Sequence, residues 1–160
     1  MSYTAKVEGL VDLSRQLREL GEAAIPIAAA SLYEGAGVMA DAVSKGVHGI
    51  STEPFRYAAD GHQRKPSPEE KALLEAAPKG VAKFKKTSTI VDTSIGLSRA
   101  GYGKLGSKTK PIPQIANAIN SGTSFMKRQP FFRKATHQNE SKAKAAVENG
   151  MIKRIDEMTK

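Results

Sequence analysis

Leu10-Val11-Asp12-Leu13-Ser14-Arg15-Gln16-Leu17-Arg18-Glu19-Leu20-Gly21 is the stretch on which the fold turns. Leu10, Leu13, Leu17 and Leu20 recur at helical steps with Asp12, Arg15, Arg18 and Glu19 between them, the apolar stripe of a helix and not the alternation of a strand. Gly21 predicts its end. On its N-terminal side Tyr3, Ala5 and Val7 alternate with Thr4, Lys6 and Glu8 up to Gly9, which reads as a short half-buried strand. On its C-terminal side a second, longer helix is expected from about Ala23, with Pro26 in the first turn, where the missing N–H is unpaired in any helix. Ala28, Ala29, Ala30, Ala36, Ala40 and Ala42 give it a small face, and Leu32, Val38, Met39 and Val43 supply larger contacts. Gly35 and Gly37 each cost about 1 kcal/mol relative to Ala inside a helix, so a kink is expected there unless a neighbour packs closely on them.

Further along, His48 to Pro66 has no period and reads as a connection. Ser67-Pro68-Glu69-Glu70 spells a helix start, with Ser67 as N-cap and Glu70 closing a capping box, and the helix ends before Pro78. Thr87 to Ser98 is rich in Thr, Ile and Val and is the best strand of the chain. Ala100 to Lys110 reads as a loop or the tip of a hairpin. Around Ile115, Ala116 and Ile119 a short helix and a short strand fit equally well. From Pro130, residues Ala135, Ala143, Val147, Met151, Ile155 and Met158 mark one stripe of a long C-terminal helix over 130–158, with Gly150 its weak point. The fold class is α+β: a small, mostly antiparallel sheet packed with three to four helices, and a flexible basic loop over 99–110.

Length supports a single domain over 1–160, since 160 residues leave no room for two lobes with a cleft between them. With 39% apolar residues and 6% aromatics the core is expected to be modest. The absence of cysteine excludes disulfide scaffolds, thiolate metal sites and cysteine nucleophiles. No uninterrupted apolar run approaches the ~20 residues that span a bilayer, so a soluble chain with no membrane partner is expected. The net charge of +9 is uneven. Residues 1–78 carry 8 Lys and Arg against 11 Asp and Glu, residues 79–110 carry 8 against 1, and residues 111–160 carry 9 against 4. The basic island contains Lys79, Lys83, Lys85, Lys86, Arg99, Lys104, Lys108 and Lys110, and it calls for solvent or an acidic partner.

Catalytic patterns fail one by one. His48, His62 and His137 have no metal-ligand spacing, and surface or local hydrogen-bonding roles are expected for them. No serine sits in a nucleophile elbow. Glu69-Glu70 and Asp156-Glu157 fall on expected helix exteriors, where solvated charge is the ordinary reading. Gly101-Tyr102-Gly103-Lys104-Leu105-Gly106 matches a dinucleotide-binding glycine pattern in letters only, because Lys110-Pro111 follows where a helix should open and no acid appears before Glu140. Neither cofactor nor metal is expected. Lys83, Lys85, Lys86, Arg99, Lys104, Lys108 and Lys110 are the candidate partner- or DNA-facing residues; with only Phe84 and Tyr102 as nearby rings, any contact with nucleic acid is expected to be electrostatic and blind to sequence.

The block Gly122-Thr123-Ser124-Phe125-Met126-Lys127-Arg128-Gln129-Pro130-Phe131-Phe132-Arg133-Lys134-Ala135 resembles that of the small basic tail-component proteins of long-tailed bacteriophages, the head–tail-joining or tail-completion family related to the lambda minor tail protein Z. Val7-Glu8-Gly9-Leu10-Val11-Asp12-Leu13 resembles the same family's strand, turn and first helix. The chain departs from the family pattern at Asn120 and Lys134, and the central third carries no match to it. The motif residues taken from the resemblance are Gly122, Thr123, Pro130, Phe131, Phe132 and Arg133. In this sequence Gly122 is expected at positive φ, Pro130 ends an extended segment, and the two phenylalanines anchor the last helix on the sheet. The resemblance implies a non-enzymatic virion protein of the neck, made in the host cytoplasm, which joins the DNA-filled head connector to the tail. Its implied partners are copies of itself in a six- or twelve-fold ring, a head connector or stopper protein, a tail terminator or tail-tube protein, and genomic DNA through non-specific contact. The alternative from charge alone is a sequence-independent nucleic-acid-binding protein.

Overall fold

The computed structural model describes residues 10–57, 62–77, 85–86, 91–92, 95, 97, 101–105 and 107–159. The elements run α1 (Leu10–His48), α2 (Pro68–Ala76), β1 (Lys85–Lys86), β2 (Val91–Asp92), β3 (Tyr102–Leu105), β4 (Lys108–Pro111), α3 (Ile112–Ser121) and α4 (Phe131–Met158). The fold is α+β with a long C-terminal helix, as the sequence predicts. The strand expected at Tyr3 to Glu8, and most of Thr87 to Ser98, lie outside the described residues.

The first correction concerns the opening stretch: Gly21 ends nothing, and the two expected helices are one helix of 39 residues with Pro26 in its interior. A glycine and a single missing N–H each weaken a helix without ending it, and from Ser31 to Gly46 α1 is held by α4, which runs antiparallel to it. The contact is close because three glycines sit in it. A Cβ on Gly35 would lie 2.9 Å from the Ala143 carbonyl oxygen and against the Val147 side chain. One on Gly46 would lie 3.0 Å from the Phe131 carbonyl oxygen, and one on Gly150 would lie 3.3 Å from Ser31 Cβ. Gly35 and Gly150, expected as weak points, are where the two backbones approach, whereas Gly37 has nothing within 4 Å.

By length and composition, Arg18–His48 within α1 suffices to cross a membrane, contrary to the expectation from uninterrupted apolar runs. Alanine and glycine raise its hydropathy while the stripe Ile27, Ala29, Ala36, Ala42, Val43 and Val47 is buried within the fold. At the exposed edge of the seam between α1 and α4, Glu34 receives a 2.7 Å bond from Arg154 of α4.

The main core gathers Val43 and Val47 from the end of α1, Ile50 just beyond it, Leu74 from α2, Ile112, Ile115 and Ile119 from α3, Met126, and Phe131 from α4. Here α3 resolves the helix-or-strand ambiguity: Ile112, Ile115, Ala116 and Ile119 are all buried, a set that only helical spacing places on one side. The sheet consists, among the described residues, of two antiparallel pairs, β1 with β2 and β3 with β4. The stretch expected as the 99–110 loop folds as the second pair, with Tyr102 opposite Pro111, Gly103 opposite Lys110, Lys104 opposite Thr109 and Leu105 opposite Lys108. Gly103 packs its bare backbone on the Leu73 methyls of α2, which an added Cβ would meet at 2.8 Å.

Candidate functional site

The candidate residues fall in two places. Lys104, Lys108 and Lys110 lie on the β3–β4 hairpin, and all three are exposed. Directly opposed residues share a face of a ribbon, so Lys108 and Lys110 stand on the side of Leu105 and Gly103, while Lys104 stands with Tyr102 on the other. The hairpin therefore splits the lysines between its faces. Lys110 lies close enough to Glu70 of α2 to lower its pKa. Lys85 and Lys86 pair through the backbone with Asp92 and Val91; Lys83 and Arg99 lie outside the described residues.

Residues 122–135, at the other end of α3, form a clasp. Gly122 has φ of +79° and closes the C-terminus of α3, its N–H donating to the Ala118 carbonyl at 2.9 Å. This left-handed geometry suits glycine, and Arg128 Cβ would sit 3.0 Å from an added Cβ. Thr123 makes the next turn: its Oγ1 accepts from the Met126 N–H at 3.0 Å, and its own N–H donates to the Met126 carbonyl at 3.0 Å. Met126 forms a parallel bridge with Arg64, with the Arg64 N–H donating to the Phe125 carbonyl at 2.9 Å and the Lys127 N–H to the Arg64 carbonyl at 2.8 Å.

Gln129 then ties three segments together. Its N–H donates to the Ile119 carbonyl at 2.8 Å, its Oε1 accepts from the Ser51 N–H at 2.8 Å, and its Nε2 donates to the Ser51 carbonyl at 2.7 Å. Pro130 precedes α4 and gives it no side-chain cap. Asn120 supplies one instead, its Oδ1 accepting the Phe132 N–H at 3.1 Å. Phe131 is buried and Phe132 partly so, in the core shared with α1 and α3; the expectation that these rings hold the helix on a sheet is corrected accordingly. Arg133 is exposed.

Beneath the clasp lies a buried ion pair that the sequence reading missed. Arg64 donates from Nη1 to Glu70 Oε2 and from Nη2 to Oε1, both at 2.7 Å, with side chains 7% and 6% exposed. A forked pair of this kind satisfies both groups in register. Glu70 also closes the expected capping box, with Ser67 N–H to Oε2 at 2.8 Å and Glu70 N–H to Ser67 Oγ at 3.2 Å. Burial pushes the Glu70 carboxyl up, but the bonds from Arg64 and Ser67 and the fields of Arg64 and Lys110 outweigh it and hold its pKa below the ordinary value. Arg64 is raised by its bond to Glu70. The Phe55 ring covers the guanidinium at 5.0 Å. The sequence placed Glu70 on a helix exterior with Glu69; only Glu69 is exposed. A glutamate at the third helical position signalled the cap, but nothing local signalled a partner on the aperiodic segment before it.

Among the described residues no group of three or more His, Asp or Glu side chains comes together in a form that could hold a metal ion. His48 bonds Glu75 Oε1 through Nδ1 at 2.9 Å, the local role expected of it. Searches of protein-family models, curated proteins and solved structures return no match to this chain.

Proposed function

We propose that this chain is a structural subunit of a bacteriophage neck, a ring-forming protein that joins the DNA-filled head connector to the tail and carries out no bond-making chemistry. The observation that carries the reading is the 122–135 block. Within that block Gly122 closes α3, Gln129 bonds Ile119 of α3 and Ser51 just beyond α1, Phe125 and Lys127 bond Arg64 through the backbone, and the Phe132 N–H of α4 donates to Asn120, a position where the chain departs from the family. A block that fixes the subunit's shape suits a protein whose work is to hold position in an assembly. Rings form when one patch meets a different patch on the next copy and the rotation closes. Native mass spectrometry of the full chain, alone and with purified connector assemblies, tests this. One closed species of six or twelve copies is expected in at least one of the two conditions; a monomer in both contradicts it.

The exposed Lys104, Lys108 and Lys110 favour a second reading, sequence-independent binding of nucleic acid. It requires duplex DNA to be retained with affinity falling steeply as salt rises. Changing the three lysines together to Ala should flatten that slope; no retention at low salt excludes the reading.

A further inference from the structure

Between the C-terminal part of α1 and the first turns of α4 runs a groove of about 720 Å³, within the range of about 300–1,000 Å³ typical of ligand sites. Its floor is apolar, made by Ala42, Ile50, Phe131 and Ala135, all buried. Its rim is cationic: Lys45 on α1, Arg128 at the mouth, and Lys134 and Lys142 two turns apart on α4, with Asp41 as the sole acid. All four cations are exposed, and among the described residues none makes an ion pair.

The local sequence is also at odds with its own helix. Arg133 and Lys134 occupy the first turn of α4, which has no acidic residue; its side-chain cap, from Asn120, is uncharged. Cations at a helix N-terminus oppose the macrodipole, by about 0.3–1 kcal/mol each in exposed settings. Cations set against the dipole with no visible gain in the subunit are the kind of local conflict found at functional sites.

We propose that this groove binds a short acidic peptide segment of a partner protein, whose apolar side chains seat on the floor while its carboxylates meet Lys45, Arg128, Lys134 and Lys142. Three features select a peptide over nucleic acid. Phosphodiesters have no use for an apolar floor. Phe131 is only 7% exposed, so no ring stands out for a base to stack on. The groove wall from Val38 to His48 is about 15 Å of helix, which matches about four to five residues of extended chain. The proposal stands on the chemistry of the groove and is independent of the neck reading.

Fluorescence anisotropy of the full chain with the fluorescein-labelled peptide Glu-Leu-Glu-Leu-Glu-Leu-Glu tests it. Saturable binding is expected, weakened about tenfold or more by Lys134→Glu with Lys142→Glu. The triple change of Lys104, Lys108 and Lys110 to Ala, outside the groove, should leave it unchanged. Peptides with Lys for Glu, or with Ser for Leu, should lose most of the affinity. Amide NMR shifts at Gly46 and Gly49 should follow the titration, and they locate the site even if the charge-reversed variant folds poorly. The proposal is overturned if no peptide binds, if the charge reversal or the Leu-to-Ser change is without effect, if the shifts map elsewhere, or if a single-stranded oligonucleotide of equal charge displaces the peptide at lower concentration.

Discussion

Replacing Glu70 with Ala strands the Arg64 guanidinium under the clasp, and the size of the effect follows from what remains around it. Removing one partner of a buried pair costs about 3–5 kcal/mol, mostly from the charge left behind. Arg64 keeps its 3.1 Å bond to the Lys65 carbonyl and the Phe55 ring, which places the ion-pair loss near the lower end, about 3 kcal/mol. Loss of the capping-box bond to the Ser67 N–H adds about 1 kcal/mol. A total near 4 kcal/mol is a large share of the ~5–15 kcal/mol that holds a domain together. Urea unfolding followed by far-UV circular dichroism measures it directly. Arg64→Met combined with Glu70→Leu should recover much of the loss, because no charge is then left buried. The pair also sets an acid limit: Glu70 has its folded pKa lowered, so its contribution is present in full above the ordinary carboxylate value of 4.5 and fades as pH falls through the lowered folded value. A loss under about 1 kcal/mol in Glu70→Ala, or a double variant no more stable than the single one, would refute the reasoning.

The glycines of α1 predict effects of opposite sign. Gly35→Ala should destabilise by about 1–3 kcal/mol, because its Cβ meets the backbone of Ala143, which cannot yield; Gly37→Ala, with open space around it, should stabilise by about 0.5–1 kcal/mol, and thermal melts of the two rank them. Gly122→Ala places a Cβ at φ of +79° and against Arg128, so a loss of at least about 1–2 kcal/mol is expected in urea unfolding. Asn120→Ala removes the acceptor for the Phe132 N–H, and faster hydrogen exchange at the first turn of α4 should accompany a loss of about 1 kcal/mol.

Elements whose signal is local were legible in the sequence. The α2 cap needs only Ser67 and Glu70 three residues apart and falls where the sequence places it, as does the span of α4; the α4 stripe holds only in its first half, where Ala135 and Ala143 are buried, whereas Ile155 and Met158 are exposed. Gly21 reads as a stop, yet the helix runs through it with nothing within 4 Å of it, so its cost of about 1 kcal/mol is simply carried by the long helix; at Gly35 the exception allowed in the sequence holds, because α4, more than a hundred residues away, packs closely on it. Loop and hairpin fit 100–110 equally in the sequence, because the partner that β3 packs on, Leu73 of α2, lies thirty residues away. At the candidate site, the positive φ of Gly122 was readable from its residue type, but the bonds of Gln129 to Ser51 and of Arg64 to Glu70 join aperiodic segments and leave no periodic trace. Basic residues were visible as a count; which of them share a surface was not. The cationic groove draws Lys45 from the acidic half of the chain and Arg128, Lys134 and Lys142 from beyond the basic island.

Electron microscopy of phage particles carrying a gold-binding tag after Lys160 tests the neck assignment most directly. The account predicts label in a ring of constant height at the junction of head and tail. Particles that assemble normally and carry label anywhere else, or carry none while the tagged chain stays in the cell extract, contradict it.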